Sequence, residues 1–159
     1  MNSIVYRQAD VSDLALLVRS RVDFMNSFWG DTYSHKEPEL AAHLAAYFMK
    51  HLVSGDYVSF LAFCGEEFAG VGGMHIREMP GGYRNMTGRV GYIMNMFTVP
   101  AYRRKGICKA ILDQLIATGK QAGIHLFELH ATADGEKVYP QTGFKLHNEP
   151  TYRLFIENQ

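Results

Sequence analysis

Only two of the 159 residues are cysteine, Cys64 and Cys108, and their separation fits neither a disulfide framework nor a metal site. That scarcity predicts free thiols in a reducing compartment. Net charge is lacking too: 16 basic residues balance 16 acidic ones, which argues against a general nucleic-acid or anionic-membrane binder. Any electrostatic function must therefore be local. No apolar run approaches the length that crosses a bilayer, and the opening "MNSIVYRQADVSD" has no apolar signal core. A soluble, cytoplasmic protein is expected, with no membrane or nucleic-acid partner. The usual glycine-rich nucleotide loops are also missing. Between Gly91 and Gly119 the only glycine is Gly106, and Gly70, Gly72 and Gly73 sit inside a strand rather than at the opening of a helix. Histidines 35, 43, 51, 125 and 147 are scattered and form no metal spacing, so no metal is expected.

Hydrophobic residues are plentiful at 47%, enough for one domain with one core over residues 1–159. Residues 3–9 read as a short strand. Asp10 is placed as an N-cap, with Asp13 in the first turn. Leu14, Leu17, Val18, Val22, Met25, Phe28 and Trp29 follow at helical spacing. Residues 37–55 form an Ala-rich second helix, with Pro38 in its first turn and Gly55 at its C-terminus. The period then changes: 56–78 reads as two strands around a tight turn at "CGEE". Residues 79–88 are a loop by their Pro, Gly and Asn content. A long buried strand at 89–99 leads to a helix at 104–122, then a strand at 125–132, a short helix or turn at 134–143 and a closing strand or hairpin at 144–157. The class expected is α/β or α+β, helices on a mixed sheet, with a parallel strand–helix–strand unit at 90–131.

The most informative stretch is "NMFTVPAYRRKGICKAIL", residues 95–112. A buried strand breaks at Pro100, and Arg103, Arg104, Lys105 and Lys109 then surround Gly106 where a helix begins. A helix start leaves several N–H groups without partners and carries a partial positive charge. Glycine lets a ligand approach the backbone, and the cations add full charges. Together they predict an anion site, with phosphate the favoured guest.

Val99-Pro100-Ala101-Tyr102-Arg103-Arg104-Lys105-Gly106-Ile107-Cys108 resembles motif A of the GCN5-related N-acetyltransferases, [Q/R]-x-x-G-x-[G/A] after a strand ending in V-P-x-[YW]. Arg103 takes the Q/R position and Gly106 the glycine, whereas Cys108 stands where the family has Gly or Ala. A second block, "GEKVYPQTGF", resembles the family's Y-x-x-x-G-F ending, with Tyr139, Gly143 and Phe144 in register. The resemblance implies a mostly antiparallel twisted sheet with a splayed parallel pair. It also implies acetyl-CoA as co-substrate and acetyl transfer to a primary amine of a small molecule or peptide. The amides from Arg104 through Lys105, Gly106, Ile107 and Cys108 to Lys109 would hold the pyrophosphate. Met96, Phe97, Thr98 and Val99 would pair with the pantetheine arm, with the Phe97 amide a candidate oxyanion donor. Tyr139 would be the general acid. The base is open among His75, Glu78, Glu128 and His130, since strand 89–99 carries no carboxylate. Asn95 could orient a water. Trp29, Tyr33, His75, Tyr83 and Asn95 are candidates for the acceptor pocket. A nucleophilic Cys108, its pKa lowered at the helix start, is the less favoured chemistry. A homodimer is consistent with the resemblance. The competing readings are a non-catalytic acyl-CoA sensor on the same fold and a phosphate- or RNA-binding module.

Overall fold

Asp10 launches the first helical segment as its position predicts. Its carboxylate accepts from the Ser12 N–H at 2.8 Å, and Asp13 reaches back to the Asp10 N–H at 3.0 Å. The computed structural model describes residues 3–156. The elements are β1 (Ile4–Gln8), α1 (Leu14–Trp29), α2 (Glu37–Ser54), β2 (Tyr57–Cys64), β3 (Glu67–Glu78), β4 (Arg89–Thr98), α3 (Ile107–Gln121) and β5 (Leu126–Glu128). The sheet runs β1-β2-β3-β4-β5 in space. All neighbours are antiparallel except β4 and β5, which pair in parallel over Val90↔Leu126, Gly91↔Phe127 and Tyr92↔Glu128.

Both faces are covered. Ile107, Ile111, Leu112 and Leu115 of α3 pack with Met74 and Ile93 on one side. Leu17 of α1 and Phe48 of α2 pack with Tyr57, Leu61 and Val71 on the other. Two glycines of β3 set how closely these layers approach. A Cβ on Gly72 would lie 2.6 Å from Ile111 of α3, and one on Gly73 would lie 2.1 Å from the Tyr57 hydroxyl. The glycine cluster of β3 thus serves packing on opposite faces of the sheet.

β4 is not regular. Its register with β3 steps from Gly73↔Met94 to Val71↔Phe97, so Asn95 and Met96 stand opposite the single residue Gly72. This is a β-bulge, and Asn95 takes a left-handed φ of 57° within it. Beyond the Tyr92↔Glu128 pair β5 ends, so the β4 and β5 strands part just where the bulge bends β4.

Three sequence expectations need correction. The helix expected from residue 104 begins at Ile107, because Pro100–Tyr102 form a 3-10 turn and Gly106 takes φ 77° as N-cap. The strand expected over 125–132 is paired only at Leu126–Glu128. The closing strand is absent among the described residues: 145–156 carry no regular structure, and Leu146, Tyr152, Leu154, Phe155 and Ile156 are exposed. A strand needs a partner edge, and Pro150 cannot donate to one. Glu157, the last residue of that segment, lies outside the described residues.

Candidate active site

The turn into α3 is a backbone cradle. Tyr102 and Arg103 donate their N–H groups to Val99 and Pro100, and the next donor along the chain is Ala110, bonded to Gly106. Among the described residues, the N–H groups from Arg104 to Lys109 therefore have no acceptor within the protein. Arg104 at φ 59° and Gly106 at φ 77° turn the chain so that the segment bends rather than running straight into the helix. A Cβ on Gly106 would meet nothing within 4 Å, so the space in front of it is open. The surrounding cations are less available than the sequence suggests. Lys109 Nζ pairs with Asp113 at 2.6 Å, Lys105 lies over the Tyr102 ring at 4.9 Å, and Arg103 Nε donates to the Thr98 carbonyl at 3.3 Å.

Cys108 is half-buried beside this turn, and burial pushes its thiol pKa up. That reverses the expectation of a lowered pKa: removal from water outweighs the helix start, so the thiolate a nucleophile needs is disfavoured. The same environment reaches Tyr139, which is 8% exposed and has its pKa pushed up to about 12 by burial and by Cys108. The phenol is therefore a proton donor throughout the neutral range. It sits in the α3-side cluster, with its ring 6.0 Å from that of Phe144.

The bulge orients the backbone at the parting strands. The Val99 N–H donates to Ala69 of β3 at 3.0 Å. With a strand period of two, the Phe97 amide faces β3 as well, and Thr98 faces the opposite side, where β5 has left. The expected Phe97 oxyanion donor is thus turned away from the gap. Asn95 donates from Nδ2 to the Tyr57 hydroxyl at 2.9 Å, while its buried Oδ1 has no partner among the described residues. A buried, unsatisfied acceptor at the bend of β4 suits a site that a ligand or water completes.

On the face covered by α1 and α2, a polar chain begins beside the bulge. The Tyr47 hydroxyl lies 4.0 Å from the Met94 sulfur and 2.6 Å from His75 Nδ1. His75 Nε2 faces Asp56 at 3.8 Å, and Asp56 bonds His51 Nδ1 at 2.8 Å. The scattered histidines show no metal spacing in sequence, yet the fold gathers His51, Asp56 and His75 within 4.8 Å of one another. Burial, then the neighbouring His51, lowers the His75 pKa. Burial raises that of Asp56, but hydrogen bonds from Ser54 and His51 outweigh it and leave Asp56 lowered. A neutral imidazole backed by a carboxylate is a competent proton acceptor. The chain opens onto a groove of about 730 Å³ lined by Asp56, His75, Arg77, Glu78 and Arg89.

Other candidates are placed less centrally. His130 Nδ1 bonds the Tyr92 hydroxyl at 2.7 Å. Glu78 and Glu128 are exposed. Trp29 and Tyr33 meet edge-to-face at 5.5 Å and are about half exposed, while Tyr83 is fully exposed on the 79–88 loop. None of the three lines the groove at His75. Tyr47, Tyr57, Tyr92, Arg21 and Asp56 were not singled out by the sequence. Tyr47 and His51, one turn apart on α2, carried the only local signal, since that spacing puts them on one helix face.

Among the described residues, no helix is long and apolar enough to cross a membrane. The family model for the acetyltransferase (GNAT) family matches residues 21–144. A predicted acetyltransferase from Clostridium acetobutylicum, crystallised with acetyl-CoA, superposes with a TM-score of 0.86 at 30% identity, covering 96% of each chain. A GCN5-related N-acetyltransferase from Ralstonia eutropha superposes at 0.85 with 22% identity, covering 96% of this chain and 99% of its own. The fold is shared further with the aminoglycoside N-acetyltransferase AAC(6')-Iy in complex with CoA, at TM-score 0.67 and 17% identity, covering 100% of this chain and 96% of that one. No curated protein sequence matches the chain. The chain belongs to the GNAT acetyltransferase family.

Proposed function

We propose that this protein transfers the acetyl group of acetyl-CoA to a primary amine of a small molecule or peptide. The observation that carries the reading is the run of unpartnered N–H groups from Arg104 to Lys109, set beside the parted β4 and β5 strands. The cradle suits a pyrophosphate, Met96 to Val99 suit a pantetheine arm, and the gap between the strands suits a thioester. The C. acetobutylicum relative crystallised with acetyl-CoA supports the choice of co-substrate.

The reaction divides across the sheet. The Tyr47–His75–Asp56 chain lies on the face covered by α1 and α2, and Tyr139 on the face covered by α3. The amine nitrogen attacks the thioester carbonyl and forms the C–N bond. Backbone N–H groups at the Asn95–Met96 bulge, rather than that of Phe97, hold the oxyanion. The attacking nitrogen passes its proton to the Tyr47 oxygen as the Tyr47 hydroxyl proton moves to His75, and Asp56 stabilises the resulting imidazolium. The C–S bond then breaks, and the departing thiolate takes the Tyr139 proton.

Thermal melts with acetyl-CoA and CoA test the binding step, since a ligand of the native state raises the midpoint by mass action. Free-thiol release over a panel of primary amines tests turnover. No shift at saturating acetyl-CoA rejects the reading.

A further inference from the structure

Arg21 breaks the logic of its helix. On α1 the inward stripe runs Leu14, Leu17, Val18, Arg21, Met25, so a permanent cation occupies a position where spacing calls for an apolar residue. The side chain is half-buried, and its guanidinium stacks on the Phe24 ring at 5.4 Å. Its neighbours on that stripe, Leu17 and Val18, pack in the cluster that holds Tyr47 and Tyr57, so Arg21 faces the same side of the sheet, and burial weakens its hold on the proton. A guanidinium withdrawn from water ordinarily has a carboxylate partner. Arg21 has neither an ion pair nor a hydrogen bond among the described residues. Of the acids on neighbouring elements, Arg19 takes Asp23 and Glu37, and Asp56 is held between His51 and Ser54, while the exposed Glu78 lines the groove beside Arg77.

A second guanidinium lies on the same face but in water. Arg77 of β3 is exposed, sits over the Tyr92 ring at 3.7 Å and has no ion pair among the described residues. Arg21 is thus a partly buried cation without a partner on the face covered by α1 and α2, and Arg77 adds an exposed charge at the Tyr92 ring. Such a setting repels a polycation and suits an anion, which a guanidinium can take through two parallel N–H bonds.

We infer that the acceptor carries an anionic group, a carboxylate or phosphate, which Arg21 binds, with Arg77 contributing charge. The inference rests on the acetyltransferase reading above and narrows its acceptor from amines in general to amines that bear an anion. Arg21 is a specificity-determining residue in this scheme and takes no part in proton transfer.

Two measurements test it. In the CoA-saturated protein, the arginine Nε–H resonances are followed by NMR during separate titrations with acetate and inorganic phosphate, and the Arg21 signal is identified by its loss in Arg21→Gln. A saturable shift of that signal with either anion is expected, and the more effective anion reports which group the acceptor carries. Absence of a shift with both overturns the inference. Turnover is compared for lysine against cadaverine and for O-phosphoethanolamine against ethanolamine. The anionic member of one pair is expected to be preferred, and Arg21→Gln should lower its kcat/KM by about 10- to 100-fold, mainly through KM, with partial rescue by Arg21→Lys. A preference for cadaverine and for ethanolamine in the two pairs, or a preference for the anionic member that survives in Arg21→Gln, overturns it. Arg21→Gln should keep the wild-type thermal shift with acetyl-CoA. If the wild type shows no such shift, the acetyltransferase reading itself fails; if it does and the anion tests fail, only the acceptor assignment falls.

Discussion

The Tyr47 hydroxyl on α2 stands 2.6 Å from Nδ1 of His75 on β3, and Asp56 lies behind the ring at 3.8 Å from Nε2. Burial pushes the Tyr47 pKa up to about 12, so the phenol is protonated at neutral pH and donates to His75. His75 has its pKa lowered from 6.5 by burial and by His51. A base must be neutral to accept a proton. Activity is therefore present above the folded pKa of His75 and is lost as pH falls through it, at an acidity below the ordinary imidazole value. The kcat/KM profile should show one acidic limb below pH 6.5. His75→Ala should lower kcat/KM by about 100-fold and remove that limb. Tyr47→Phe, which cuts the link but keeps the ring, should do much the same. An acidic limb unchanged in His75→Ala would take the base role away from this chain.

Tyr139 makes the opposite demand, because an acid must stay protonated. Its pKa near 12 satisfies this at every pH where the protein works. Tyr139→Phe preserves the buried ring and its contact with Phe144, so folding should be intact. It should lower kcat by about 100-fold while acetyl-CoA affinity stays within about twofold. Equal activity in the phenylalanine variant would sink the acid role, and equal loss of kcat and binding would mark Tyr139 as a structural residue.

At the cradle, charge and backbone geometry predict different outcomes. Gly106 has φ 77° with open space before it, so a larger residue is opposed by its own backbone conformation and by the cover it lays over the amides. Gly106→Val should weaken acetyl-CoA binding by more than about tenfold. Lys109→Ala should change it by less than about threefold, because the ammonium already pairs with Asp113. Calorimetric titration of both variants decides the matter. A larger loss in the lysine variant would make charge, not amides, the grip.

These sites were unequally legible in the sequence. The cradle lies within one continuous segment, so Pro100, Gly106 and the Ile107–Ile111–Leu115 stripe announce it directly. The amine side proposed above draws on Arg21, Tyr47, Asp56, His75 and Tyr92, which come from α1, α2, the connection after it, β3 and β4, and no local spacing links them. The bulge was hidden for a different reason. A left-handed turn inside a strand is usually marked by glycine, and here Asn95 adopts it. Arg21 was readable in principle as a cation on an inward stripe, but its significance depends on the missing partner, which only three dimensions reveal. The closing strand failed because the apolar and aromatic residues of 152–156 predict a strand without supplying the edge it must pair with.

Arg7 and Asp13 provide a test of stability separate from the chemistry. Arg7 on β1 grips the Asp13 carboxylate with both terminal nitrogens, at 2.8 and 2.6 Å, and the Asp13 side chain is only 8% exposed. The hydrogen bonds from Arg7 outweigh burial and, with the Asp10 N–H, hold the Asp13 pKa below its ordinary 3.8. A folded pKa lower than the unfolded one gives stabilisation that is complete above the unfolded value and drains away as pH falls through the folded value. Removing Arg7 leaves the buried carboxylate with the Asp10 N–H alone, so Arg7→Ala should cost about 1–3 kcal/mol at pH 7. Urea unfolding at pH 7 and near pH 3 measures the difference between variant and wild type. That difference should narrow at the lower pH. If it stays constant, the contribution comes from packing of the Arg7 guanidinium over the Phe63 ring, 5.2 Å away, and not from the ion pair.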